Sequence, residues 1–171
     1  NYNWESVELF SAWANGIWEK AKGKNSLIGD RNFKILDRLY PKDSDHFIRL
    51  KVVNQKEPIG WIVLLNTQME KHNYFGDMRV GPLVDCLAVP GWEHQVAAAG
   101  TRYLEQENVD IIVTNQLNKN WCEALTKNGY LKGPSNYILA VSRQLGEKLS
   151  PFEHLATMGH MTRGDGDGPI N

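Results

Sequence analysis

Val84-Asp85-Cys86-Leu87-Ala88-Val89-Pro90 is an apolar, strand-like run that a proline stops, and a helical pattern follows it after Gly91. Upstream the run extends to Val80, giving a strand over Val80–Val89. Downstream, Val96, Gly100, Tyr103, Leu104 and Glu107 fall roughly on one helical face, and a second apolar strand, Val109–Thr114, comes next. A strand, helix, strand unit of this length favours parallel pairing across the helix.

Working outward toward the N-terminus, Ile48, Leu50 and Val52 alternate with Arg49 and Lys51, the period of a half-buried strand. Asn54 to Pro58 reads as a turn, Ile59–Leu65 as a second strand, and Asn66–Arg79 as a polar loop. These strands and Val80–Val89 form an antiparallel meander. Before them, Val7, Phe10, Ala14, Ile17, Trp18 and Ala21 recur at helical spacing, with Asn3 as the cap, Gly23 as the end, and no strand ahead of Asn3. A shorter helical stripe, Phe33 to Tyr40, follows Asp30 and stops at Pro41. Toward the C-terminus, a helix over Asn118–Asn128 carries Trp121, Ala124 and Leu125 inward, and a strand is expected at Tyr137–Ser142. The result is an α+β to α/β mixture built on one mixed sheet flanked by helices. Trp13, Trp18, Trp61 and Trp121 are expected to be largely buried. Residues 1–143 form the domain and 144–171 a glycine-rich tail.

Composition sets the bounds. A 42% hydrophobic content with 6 Trp supports a sizeable core. Nineteen basic residues offset twenty acidic ones, so no bulk positive field points to nucleic acid. The longest apolar run, Trp61–Leu65, is far short of the ~20 residues of a membrane span. No secretory signal is readable in the opening Asn-Tyr-Asn-Trp, and the absence of an initiator Met suggests a piece of something longer. Cys86 and Cys122 read as reduced thiols of a cytoplasmic protein, and the five His show no metal-ligand spacing.

The order of elements, with Val84–Pro90 and Asn118–Tyr130, resembles the GNAT (N-acetyltransferase-like) family over roughly residues 4 to 143. The resemblance implies a splay between the fourth and fifth family strands, here Val80–Val89 and Val109–Thr114, diverging beside Val89 and Val113. Acetyl-CoA would enter this splay as co-substrate. Leu87, Ala88 and Val89 would hold its pantetheine arm by strand-like hydrogen bonds. Gln95-Val96-Ala97-Ala98-Ala99-Gly100 is similar to the family's pyrophosphate loop, with Ala98 in place of its first glycine; amides at a helix start suit phosphate oxygens. The same small residues also suit tight helix packing. Asn118 matches the first Asn of the family's N-x-x-A-x-x-L-Y segment, and Leu125 stands where many members carry a proton-donating tyrosine. Tyr130 and Tyr137 are the tyrosines within reach of that role.

Asp85 is the candidate catalytic base, because an amine must lose its proton before attacking a thioester. It shares a face with Leu87 and Val89, and a carboxylate there is paired, cleft-facing or catalytic. His94 beside the loop is a second candidate base or phosphate contact. The implied function is acyl transfer to an amine of a small molecule or sugar, with a link to bacterial glycan pathways suggested by the glycine-aspartate ending. The alternative is a GNAT-like module that has lost catalysis and binds or scaffolds within a longer protein.

Overall fold

The computed structural model describes residues 1–133 and 139–165. Its sheet contains β1 (Tyr2–Ser6), β2 (Ile48–Asn54), β3 (Glu57–Leu64), a short β4 (Thr67–Gln68), β5 (Arg79–Ala88) and β6 (Ile111–Thr114). The order is β1-β2-β3-β5-β4, with β6 also pairing β5. All pairs are antiparallel except β5 with β6, which the crossover helix makes parallel. The helices are α1 (Ala12–Ala21), α2 (Phe33–Leu39), α3 (Glu93–Gln106), α4 (Lys119–Lys127), α5 (Arg143–Lys148) and α6 (Phe152–Ala156). None of the described helices is long and apolar enough to cross a membrane.

Period-two alternation along β3 divides the interior into two layers. Ile62 and Leu64 point to the side covered by α3 and α4, joining Leu50, Leu83, Cys86, Leu104, Trp121 and Leu125. Trp61 and Val63 point to the opposite side, joining Phe10, Ala14, Ile17, Leu36 and Tyr40 from the α1–α2 region. Close approach of α3 to the sheet depends on small residues. A Cβ at Gly100 would lie 2.5 Å from Ile62 Cδ1, and one at Gly60 would meet Val96 and lie 2.8 Å from the Leu87 carbonyl. The β2–β3 hairpin turns through Gln55 and Lys56, both with positive φ (47° and 75°), the two-residue geometry that matches strand twist.

Several expectations change. The chain opens on a strand: β1 pairs with β2 from Tyr2↔Asn54 to Ser6↔Leu50, so Asn3 caps nothing. The helix begins at Ala12 instead, while Phe10, Ala14, Ile17 and Ala21 keep the buried stripe. Trp61 and Trp121 are buried, but Trp13 and Trp18 are half-buried at the edge of the α1 layer. Of the strand expected at Tyr137–Ser142, residues 137 and 138 lie outside the described residues, and 139–142 form no strand. Residues 144–165, expected as a tail, carry part of α5 and all of α6, then run back against β5, where His160, Thr162 and Arg163 are buried.

Candidate active site

The site begins with a bulge. Asp85 pairs with Val63 but Leu83, two residues earlier, pairs with the very next residue of β3, Leu64, so Val84 is an extra residue in β5. A bulge bends its strand and re-aims side chains. Here Val84 joins Leu87 in the α1–α2 layer. At the same place β5 leaves β6: their ladder runs from Val80↔Ile111 to Leu83↔Thr114 and stops. The two strands, the fourth and fifth of the family order once the two-residue β4 is set aside, therefore splay after Leu83 and Thr114. Val113 is still paired, with Pro82. Val84–Ala88 is left with an edge that β6 does not cover.

Backbone direction along that edge follows from one bond. Val89 N donates to Ile59 O of the neighbouring strand at 2.8 Å. Strand alternation then turns the backbone groups of Leu87 and Val89 toward β3, and those of Cys86 and Ala88 toward the gap. Of the three residues expected to pair with pantetheine, Ala88 presents its backbone to the gap. The Cys86 carbonyl, also facing it, accepts from Nε2 of His160 at 2.8 Å. Because a carbonyl only accepts, His160 carries its proton on Nε2. Its Nδ1 has no hydrogen-bond partner among the described residues. Burial holds this imidazole below the usual histidine range, and the Arg31 charge adds to that against the pull of Asp85.

Asp85 is fully buried and paired. Arg31 Nε and the Tyr40 hydroxyl each donate to its Oδ2 at 2.8 Å. Thr162 Oγ1 at 3.0 Å and the Cys86 amide at 2.9 Å donate to its Oδ1. Arg31 also reaches Asp165 at 2.5 Å. Although burial opposes it, the two carboxylates hold the Arg31 guanidinium above its ordinary value, while burial and Asp85 push the Tyr40 hydroxyl up. Gly164 fits against this cluster because a Cβ there would meet the Tyr40 hydroxyl and lie 3.1 Å from Asp85 Oδ2. Burial, with Asp85 next, pushes the Cys86 thiol well up, which suits a packed thiol rather than a nucleophile.

At the helix start, the first intrahelical bond of α3 is Val96 N to Trp92 O at 3.0 Å, so the amides of Glu93, His94 and Gln95 face its N-terminal end. Gln95 is thus the member of the expected loop at the opening turn. Val96, Ala97, Ala98, Ala99 and Gly100 are buried within the helix. Glu93 adds a carboxylate there: its Oε2 accepts from Gly91 N at 2.8 Å, across a turn in which Gly91 has φ +91°. His94 is exposed, and its Nδ1 accepts from Asn128 Nδ2 at 3.0 Å.

Asn118 caps α4, its Oδ1 accepting from Asn120 N at 2.9 Å, while its Nδ2 donates to Asn25 Oδ1 at 3.1 Å and Met158 O at 3.3 Å. Leu125 is core. The Tyr130 hydroxyl sits 3.0 Å from Thr101 Oγ1, and Tyr137 lies outside the described residues. At the mouth of the splay a cavity of about 40 Å³ is lined by residues including Lys24, Leu87, Ala88, Glu93, Asn118 and Trp121. No three His, Cys, Asp or Glu among the described residues are placed to hold a metal. Arg31, Tyr40, His160, Thr162 and Asp165 were not legible as site residues, since nothing in their local sequence marks them as partners of Asp85, of the Cys86 carbonyl or of one another.

No family sequence model and no curated protein matches the chain. Solved structures do. A GNAT family acetyltransferase from Staphylococcus aureus superposes with a TM-score of 0.55 at 14% identity, covering 82% of this chain and 98% of that one. A Trypanosoma brucei acetyltransferase gives 0.55 at 9% identity, covering 82% and 100%. An aminoglycoside antibiotic 6'-N-acetyltransferase from Acinetobacter baumannii gives 0.54 at 11% identity, covering 84% and 99%. With its parallel β5–β6 crossover, its bulged β5 and its splay, the chain has the fold of the GNAT acetyltransferases.

Proposed function

We propose that the chain is an acyl-CoA-dependent N-acyltransferase, transferring an acetyl group to an amine of a small molecule or sugar. One observation carries this reading: the Val84–Ala88 edge of β5 is parted from β6 inside the sheet, beside the first turn of α3. An extended acyl-CoA arm is a ligand that can pair with such an edge, as an added strand does. Ala88 N–H and C=O would take the arm, and the first amides of α3, with Lys24 at the cavity rim, would face the pyrophosphate. In the reaction the amine nitrogen attacks the thioester carbonyl, the C–N bond forms and the C–S bond breaks. The sulfur leaves as thiolate, and the proton lost by nitrogen ends on it or on solvent. Asp85 is the carboxylate beside this edge, and we assign it the amine's proton through Oδ1, the oxygen that Thr162 now occupies. The aminoglycoside enzyme among the structural neighbours makes amino sugars the first acceptors to try.

The test is calorimetric titration with acetyl-CoA, followed by a thiol-release assay with amino sugars and polyamines. Saturable binding and amine-dependent release of free thiol are expected. A second reading, a GNAT-like binding module without catalysis, is favoured by Leu125 at the family's tyrosine position and by the saturated bonding of Asp85. Binding without thiol release for any amine would select it.

A further inference from the structure

The gap that acyl-CoA would enter is filled by the chain itself. Gly159 to Thr162 runs along it as an extended stretch between two walls and ends in one 3-10 turn at Arg163–Asp165. On one wall His160 N donates to Leu27 O at 2.7 Å, and His160 forms a parallel bridge with Ile28. On the other, Leu117 N donates to Met161 O at 3.3 Å, Thr162 bridges Gln116, and Arg163 Nη1 donates to Asn115 Oδ1 at 2.8 Å. Across the floor, the His160 ring gives its N–H to the Cys86 carbonyl on the open edge of β5. An amide of a bound extended ligand would offer that carbonyl the same kind of donor. What remains of the gap is the cavity of about 40 Å³. A pantetheine arm paired to the Cys86 carbonyl would have to take the place of the His160 ring.

Polar contacts, more than apolar burial, hold the segment. It is anchored by polar contacts with Leu27, Asp85, Arg31 and Cys86, and the helices that lead into it, α5 and α6, bury no residue. Segments with few buried apolar contacts open well before the global unfolding of a domain.

We propose that Gly159–Asp165 is an autoinhibitory strap, which holds the open edge of β5 in place of acyl-CoA and must leave for acyl-CoA to bind. The inference rests on the acyltransferase reading of the same gap. Departure of the strap frees the Cys86 carbonyl and removes the Thr162 donor from Asp85 Oδ1, which keeps the Cys86 amide. If the strap is closed in about 99 of 100 molecules, it lowers the apparent affinity for acyl-CoA about 100-fold.

The experiment uses the full chain and acetyl-CoA. Two variants loosen the strap at different points: His160→Ala removes the donor to Cys86, and Asp165→Ala removes the acceptor for Arg31 and for Thr162 N, at a partly exposed position where the fold is least at risk. Folding of each is confirmed by thermal melting; should His160→Ala fail to fold, Asp165→Ala carries the test. Calorimetry is expected to show at least about tenfold tighter acetyl-CoA binding in the variants than in the wild type. In the wild type, acetyl-CoA should speed hydrogen exchange at the amides of His160 and Leu117, a change that a purely structural segment would not make. Wild-type binding with those amides still protected, or folded variants that bind no tighter, overturns the strap and leaves the acyltransferase reading standing. Absence of acetyl-CoA binding in the wild type and in both folded variants overturns that reading, and the strap with it.

Discussion

Asp85 accepts four hydrogen bonds in a site without solvent, and its charge is offset by Arg31, which is itself shared with Asp165. Removing one partner of a buried pair leaves the other charge dehydrated and uncompensated, which costs more than the pair contributes. Arg31→Met should therefore destabilise the fold by about 3 to 5 kcal/mol in a urea melt at pH 7. A loss under about 1 kcal/mol, the usual range of an exposed pair, would show that Asp85 rehydrates when the guanidinium leaves. Of the readings open for Asp85 from sequence, pairing is what the structure displays. Its partners could not be named from sequence because they lie 54, 45 and 77 residues away, at Arg31, Tyr40 and Thr162. Period-two alternation did identify the face that Asp85 shares with Leu87, since that depends only on the local backbone.

The central strands were legible because β2 alternates with a two-residue period and β3 and β5 are apolar runs, with a turn between the first two at Gln55 and Lys56. The opening was not. Tyr2, Trp4 and Ser6 form a strand only because β2 offers an edge, and a helical stripe continuing from Phe10 overrode that short alternation. Within the meander, Trp61 is fully buried between β3 and Phe10, whose rings meet edge-on at 5.3 Å. Trp61→Ala should cost about 3 to 5 kcal/mol, read as a shift in denaturant midpoint; a loss under about 1 kcal/mol would place Trp61 outside the core. At the start of α3 the chemistry is electrostatic. The helix end favours anions, and Glu93 already supplies one beside the amides that would face a pyrophosphate. Glu93→Gln should remove that competition and tighten acetyl-CoA binding about two- to fivefold, the effect of roughly 0.5 to 1 kcal/mol at a partly exposed charge. Weaker or unchanged binding in calorimetry at low salt would place the pyrophosphate elsewhere.

For the molecule as a whole, the C-terminal portion was the least legible part and the one that completes the interior. Glycines and a proline near the end read as a loose tail, yet His160, Thr162 and Arg163 are buried against residues from the first third of the chain, from β5 and from the stretch after β6. Composition reports local stiffness, and this packing depends on a gap that exists only once β5 and β6 have parted. The same burial makes the stability of the whole fold depend on pH. Burial lowers the folded-state pKa of His160 below the ordinary value of 6.5, so the unfolded chain takes up a proton there before the folded one does. The contribution of neutral His160 is complete above about pH 6.5 and is lost as the pH falls toward its folded value. Thermal melts should therefore show a falling midpoint from pH 7 to pH 5. His160→Gln, which keeps an N–H donor but cannot titrate in this window, should flatten that slope even if it lowers the midpoint throughout. An equal slope in the variant would assign the pH dependence to groups other than His160, and a flat wild-type profile would show that the buried ring accepts a proton without opening the fold.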